Sequence, residues 1–479
     1  MKTMTKLQRC ILGFMGMAGL CTLLGCGSSS SSTPSKMASA APMVVTVSDA
    51  PLSNILSAVV TISSVNVSAG SGSSSVSLLT KPVTVELSGL GAIQEPIEIT
   101  NLAFGTYNSV TVTVASALVT YINSAGQVTT ATATLNQPTV TVALAPALSI
   151  SGQGEVQLQL AFNLAQSFSL SGSVVTFTPA INTAGAQVSS ENSGERQLEV
   201  SGQVMSVSSS SITVQSGDSG KQFAFTINSS TQFPNGVTAS SIQTGSIVQV
   251  QGQTQTDGSL LALMITPESN GNSSGQQEDG AKGVIVSVTK NSSGAITGFA
   301  MVPRENFGSP SSSSSSLNVA LSSSTTYGIP EDAQQVGVAS TAFENAELFP
   351  GQSVVVTGTA GSAGTLNAQQ VMLAAESIPG TLVATPQGSS PNFTFALALA
   401  TTSYLTTYEN LTTLHISTNQ ASEYGNSLSA SSFAALAAGV SIETHGYLLQ
   451  DSSGHFALYA TEISQVEAPE TPEGGSGGN

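Results

Sequence analysis

The chain has 479 residues, 10 Lys and Arg against 27 Asp and Glu, a net charge of −17, three cysteines and no tryptophan. That length allows about three to four domains. Three cysteines, two of them in the first 25 residues, leave no disulfide framework and no cysteine zinc site within one chain. So large an acid excess argues against nucleic acid as a partner, because phosphates are held mainly by Lys and Arg.

Residues 1–9 carry Lys2, Lys6 and Arg9 and no acid, and an apolar run of 14 residues follows from Ile11 to Leu24. It is too short to span a bilayer, which takes ~20 residues, and it has the layout of a secretory signal. The run ends Leu23-Leu24-Gly25-Cys26, which resembles the bacterial lipobox. That resemblance implies removal of residues 1–25 and acylation of Cys26. Several acyl chains anchor a protein stably where one does not. Gly27, where an Asp would imply retention at the inner membrane, implies the outer membrane. The signal holds three of the ten basic residues and none of the acids, so the mature charge is −20, and no Lys or Arg follows Arg304.

Residues 26–42 read as a Ser-rich tether. From Met43 the pattern alternates with period two, as in Val110-Thr111-Val112-Thr113-Val114, which marks half-buried strands. Many short strands separated by Gly-rich turns predict a β-sandwich over 43–182. Ser48-Asp49-Ala50-Pro51, Asn101-Leu102-Ala103-Phe104-Gly105-Thr106-Tyr107 and Phe162-Asn163-Leu164 before Phe177-Thr178-Pro179 occur in that order. This order resembles the bacterial lipoprotein domain known as domain of unknown function 4382. That family usually shows Asp-Phe-Asp where this chain has Ala161-Phe162-Asn163, so any ligand held by those acids is in doubt here.

Residues 183–197 read as a linker. Three segments with one skeleton follow, at 198–266, 280–376 and 378–467. Each opens with a glycine, Gly202, Gly283 or Gly380, and carries two later glycines seven apart: Gly245 and Gly252, Gly351 and Gly358, Gly439 and Gly446. Val248, Val354 and Ile442 coincide inside that frame. A turn at Gly258, Gly364 or Gly454 leads to a last strand, and the third segment falls two residues out of step there. Short helices are expected before each frame, at Ser240 to Thr244, at Thr341 to Glu344 with a capping box, and at Ser432 to Ala438. Strands with one helical turn in such a length predict a small OB-like barrel. The segments resemble domain of unknown function 5666, most clearly at 198–266. Low-complexity insertions at 269–279 and Ser309 to Ser316 fall in loops, and residues 468–479 form a tail.

The expected fold class is therefore all-β: an N-terminal β-sandwich followed by three small OB-like β-barrel repeats. No local motif names a chemistry. His415, His445 and His455 are read as exposed strand histidines. With Leu449 opposite His455, His445 would lie opposite Tyr459, too far from His455 for joint ligation. The pairs Glu278-Asp279 and Glu331-Asp332 read as solvated loop acids. Phe223, Phe225 and Phe233 form either a ligand face or barrel core. Arg196, Lys221, Lys282, Lys290 and Arg304 are spread over two barrels and their loops. No catalytic, cofactor-binding or metal-ligating residue is assigned, and no cofactor.

The functional expectation is a non-enzymatic envelope protein, lipid-anchored at the outer membrane and facing the periplasm or the cell surface. It would serve as a binding, adhesive or spacer module with a protein or polysaccharide partner and no nucleic acid. The alternatives are a hydrolase with a site assembled between domains, which needs a His and an acid converging in a cleft, and a periplasmic carrier, which needs a deep apolar cavity.

Overall fold

The computed structural model describes residues 40–466 except 51, 71–73, 91–92, 152–155, 173, 188–196, 235–236, 269–277, 309–314, 426–427 and 452. The Cys26 anchor, the signal, the tether up to residue 39, the tail and most of both low-complexity insertions lie outside the described residues.

Period-two alternation becomes a sandwich of two main sheets over one apolar core, to which a small third sheet of Phe168–Ser171, Val174–Phe177 and Thr134–Leu135 also contributes. One sheet has the order Ile181–Gln187, Val156–Asn163, Ala40–Ala50, Glu95–Ala103, with Ala40–Ala50 parallel to Val156–Asn163. The other is built on the long antiparallel pair Ile55–Ser68 and Gly105–Ile122. The conspicuous motifs here are structural. Asn163 caps a helical turn by accepting from the Gln166 N–H, and the Tyr107 hydroxyl donates to the Ala103 carbonyl at 2.9 Å, tying a strand start back to the chain. The expected linker begins later than its sequence suggests, because Ile181–Gln187 is an edge strand paired with Val156–Asn163.

Three closed five-stranded circuits follow. The first pairs Gln197–Val207, Ser211–Ser216, Gln222–Thr226, Leu260–Pro267 and Ile247–Thr254 in a ring. The second uses Asp279–Lys290, Ile296–Phe307, Leu317–Ala320, Thr365–Leu373 and Ser353–Ala360. The third uses Glu376–Leu382, Asn392–Ala398, Thr413–Ser417, Phe456–Gln465 and Ser441–Gln450. In every case the strand order around the ring is 1-2-3-5-4, with strand 3 parallel to strand 5. The expected fold class, sandwich plus three OB-like barrels, is thus the one observed.

The glycine skeleton explains the shared register. Gly202 pairs with Val248, Gly283 with Val354 and Gly380 with Ile442. The first framing glycine has φ of +93°, +97° and +86° at Gly245, Gly351 and Gly439, a region side chains avoid. The second sits at a bulge opposite an alanine of the last strand: Gly252 on Ala262, Gly358 on Ala368, Gly446 on Ala460. A Cβ there would meet the facing backbone oxygen at 2.0 Å at Gly358 and 2.3 Å at Gly446. The third barrel is therefore not out of register. Its hairpin is two residues longer on each arm, pairing out to Gln450 and Phe456.

The helical expectations are corrected. Ser240 to Thr244 forms turns only. The capping box of the second barrel is Glu344 with Glu347 around the short helix Asn345–Glu347, not Thr341 with Glu344. That of the third is Ser429 with Ser432, opening Ala430–Ala434. No helix among the described residues is long and apolar enough to cross a membrane.

The modules share their cores. Leu56 and Ile122 of the sandwich and Val284 and Val302 of the second barrel belong to the apolar cluster of the third. Tyr447 and Leu449 of the third barrel belong to that of the second, and Val44 of the sandwich to that of the first. The described residues accordingly form one compact unit.

Candidate functional site

Polar side chains converge where the four modules meet. A cavity of about 50 Å³ is lined by Glu86 and Glu95 of the sandwich, Glu199, Asp218 and Glu268 of the first barrel, Lys282, Arg304 and Glu305 of the second, and His445 and Tyr447 of the third. It has room for a few water molecules.

Arg304 is the central tie. Its strand, Ile296–Phe307, carries it to the module boundary, where it is 8% exposed. Its two terminal nitrogens hold the Glu376 carboxylate at 2.9 and 3.0 Å, and its Nε donates to the Leu56 carbonyl at 2.8 Å. One guanidinium thus joins second barrel, third barrel and sandwich with the bidentate geometry that only Arg offers. Ser353 also donates to Glu376. Coulombic attraction to Glu376 and Glu86 outweighs burial and keeps the guanidinium charged.

The first barrel is tied on the other side. The Glu86 N–H donates to Asp218 Oδ2 at 2.8 Å, the Ser216 hydroxyl to Glu95 Oε1 at 3.0 Å, and the Glu199 N–H to the Gln94 carbonyl at 3.0 Å. Ser201 holds Glu268 at 2.7 Å and Gln249 holds Glu199 at 2.6 Å. Lys282 lies 3.6 Å from Glu305.

Electrostatics follow from too many acids around too few cations. Burial works against the Lys282 charge, but Glu305, Glu268 and Glu199 outweigh it and raise its pKa. Each acid receives only a share of that one ammonium, so burial dominates at Glu305 and pushes it up to about 8. Burial also raises Glu86 and Glu199, and raises Glu95 well above its ordinary value with Asp218 beside it. His445 is held down to about 3, first by burial and then by Lys282 and Arg304, so its imidazole is neutral. Its Nδ1 lies 2.9 Å from the Ser377 hydroxyl.

The sequence candidates disperse. His415 is exposed on the outer face of the third barrel, and His455 is exposed beside Asp451 in the hairpin turn. His445 is not an exposed strand histidine. Leu449 pairs with Ala457 rather than His455, and that two-residue difference in register together with the bulge at Gly446 sets His445 opposite Glu462 rather than Tyr459. The pairs expected as solvated are partly buried: Glu278 is 9% exposed, and Asp332 accepts from the Tyr447 hydroxyl. Phe223 and Phe225 are interior to the first barrel and Phe233 packs against the same core. Lys221 bonds Glu98 of the sandwich at 2.6 Å. Lys221 and Arg304 therefore tie modules together instead of lying scattered, Lys282 pairs with Glu305 of its own barrel, and Arg196 is outside the described residues. Among the described residues no three His, Cys, Asp or Glu side chains are arranged to hold a metal ion.

The signal missed in the sequence is a lone charge in an apolar strand. With 8% charged residues overall, Glu199 in Leu-Glu-Val, Arg304 after Met-Val-Pro and Glu376 after Met-Leu-Ala-Ala stand out. A charge that rare among buried neighbours needs a partner.

These features define an all-β protein of one sandwich and three OB-like barrels joined by a buried charged junction. Residues 40–178 match the family model described as Domain of unknown function (DUF4382), and residues 201–266, in the first barrel, match Domain of unknown function (DUF5666). None of the curated proteins compared matches the chain. Among solved structures it aligns with the wild-type single-stranded DNA-binding protein from Thermus aquaticus at 12% identity, covering 42% of this chain and 98% of that chain, with a TM-score of 0.18. A deletion mutant of that protein aligns at 15% identity over 41% of this chain and 97% of its own, with a TM-score of 0.17.

These neighbours correct the expectation that nucleic acid is excluded as a partner. The expectation counted charge over the whole chain, and that sum does not describe the surface, because the fold buries Glu86, Glu95, Glu268 and Glu376 together with Arg304. TM-scores this low assign neither that ligand nor that fold to the chain.

Proposed function

We propose that the chain is a lipid-anchored scaffold of the bacterial outer membrane, held at Cys26, that works as a binding, adhesive or spacer module by presenting a rigid four-module body. The observation that carries this reading is the Arg304 tie. A guanidinium that grips two other modules, over apolar cores that run across the same boundaries, suits a body whose modules keep fixed positions.

A hydrolase assembled between modules would need the combination the junction gathers, His445 beside carboxyls. A cavity of about 50 Å³ admits water but no polymer segment, and an imidazole held near 3 is a weak base at neutral pH. The scaffold reading is the better supported.

Small-angle scattering of the full chain with Cys26→Ser, which removes only the attachment point, tests the rigid body. One compact particle at neutral pH is expected, and a profile of independently moving modules would overturn it. The anchor is tested by mass spectrometry of the membrane-extracted protein. An acylated Cys26 as the first residue is expected, and an unmodified Cys26 would refute it.

A further inference from the structure

The junction brings together carboxyls from all four modules with two cations, Lys282 and Arg304, among the described residues that line it. Glu86 and Glu95 face it from the sandwich, Glu199, Asp218 and Glu268 from the first barrel, Glu305 from the second, and Glu376 from the third. Against these stand Lys282 and Arg304, both from the second barrel, with His445 and Tyr447 from the third. Arg304 gives three of its N–H donors to Glu376 and the Leu56 carbonyl, and its charge also acts on Glu86. That leaves Lys282 to face Glu199, Glu268 and Glu305. On the far side of His445, Glu462 is its cross-strand partner, and Glu443 lies on the same strand as His445. Buried carboxylates without a cation each are expensive, and the usual escape is to keep the proton.

We propose that the junction is a proton-dependent lock, closed while several of its carboxyls keep their protons and opened by alkaline pH, which ionises them and drives sandwich and barrels apart. The proposal rests on the rigid-body reading above only in requiring a closed junction near neutral pH.

The protonation pattern agrees with the geometry. Burial raises Glu305 to about 8 and Glu443 to about 8, the latter with Glu462 adding to it. Burial, with Glu423 and Glu199, raises Glu462 to about 7. The ordinary value of these groups is 4.5. A carboxyl raised on folding contributes stability that is complete below its unfolded value and is lost as pH rises through its folded value. For the junction that loss runs from about 4.5 to about 8. His445 acts in the opposite sense. Its pKa is depressed, so its contribution is present above 6.5 and lost as pH falls toward about 3. The lock is therefore bounded on both sides and fails at the alkaline one by charge accumulation. Each proton lost on opening makes the opening constant climb about tenfold per pH unit.

The experiment is scattering of the full chain with Cys26→Ser from pH 5.5 to 9.5, for the otherwise native chain and for Glu305→Gln, which keeps the shape and cannot ionise. The expected result is a constant radius of gyration at the acid end and an expansion that grows as pH rises toward about 8 and levels off above it, with Glu305→Gln moving the onset upward and lowering its slope by about one proton. If Glu305→Gln fails to fold, Glu95→Gln makes the same test from the sandwich side. An unchanged radius through pH 9.5, or an onset that both variants leave in place, overturns the lock and leaves the rigid body intact. Expanded modules at every pH overturn both readings together.

Discussion

The inside of a barrel and the junction between barrels are both buried, yet they are filled with opposite chemistry. In the first barrel Val200, Val214, Phe225, Val250 and Ile265 meet with at most 1% exposure and no charge among them. A few strands away Arg304, Glu376, Glu268 and Glu86 are 8%, 1%, 7% and 4% exposed. Apolar packing is tolerant: any side chain of the right size lowers the free energy of a core. A buried ion pair is selective, because each charge is tolerated only with its own partner in place. The cores therefore form each module, and the junction specifies how the modules sit on one another.

The sharpest way to break this comparison is to remove one partner on each side. Arg304→Met leaves Glu376 buried without its cation and should cost about 3–5 kcal/mol. Phe225→Ala opens the first barrel and should cost a similar ~3–5 kcal/mol. Rescue separates the two. Arg304→Met combined with Glu376→Leu replaces the pair by apolar volume and should recover most of the loss, whereas no second deletion refills the space left by Phe225. Denaturant unfolding of the full chain measures all three, and a double variant as unstable as Arg304→Met alone would show that Glu376 is not the reason Arg304 matters.

The framing glycines sharpen the same contrast at smaller magnitude. Gly351 and Gly439 hold one position in the repeat and have φ of +97° and +86°. An alanine at either should pay the left-handed backbone cost of about 1–2 kcal/mol. At Gly439 nothing lies within 4 Å of the new Cβ, so the cost should stop there. At Gly351 the Cβ would meet Leu405 Cδ2 of the third barrel at 2.6 Å. Overpacking adds ~1–3 kcal/mol. Equal losses at the two positions would mean that the contact between second and third barrels gives way freely.

What the sequence made legible follows from the same division. Alternation at Val110 to Val114 and the glycine skeleton from Gly202 to Gly446 are local or repeated signals, and they carried the strands, the module order and the barrel register. The hairpin of the third barrel was misread because two extra residues on each arm look like divergence when only spacing is visible. The junction was illegible for a stronger reason. Arg304 and Leu56 are 248 positions apart and Arg304 and Glu376 are 72 apart, with no spacing rule between them. Arg304 looked scattered because its partners belong to other modules, and Lys282 because the acids around it are Glu305 of its own barrel with Glu199 and Glu268 of the first. Only their rarity inside apolar strands pointed to burial, and that signal names no partner.

The smallest expected effect lies at the rim, where Lys221 of the first barrel meets Glu98 of the sandwich at 2.6 Å, with side chains 22% and 11% exposed. Here the distance alone would suggest a strong tie. Burial pushes Glu98 up, but the Lys221 ammonium and the Thr80 amide and hydroxyl outweigh it and hold its pKa below the ordinary value. A depressed carboxylate contributes stability above its unfolded value and loses it as pH falls, the reverse of Glu305. Water still reaches both groups, so the pair is screened, and Thr80 remains to satisfy Glu98 when Lys221 is gone. Lys221→Met should therefore cost less than about 1 kcal/mol, shrinking further in added salt. Arg304→Met should be nearly indifferent to the same salt, because its pair is closed to water. Measuring both variants at low and high ionic strength places the border between rim and junction. A Lys221→Met loss as large as that of Arg304→Met, and as insensitive to salt, would move the border outward and make Glu98 part of the buried lock.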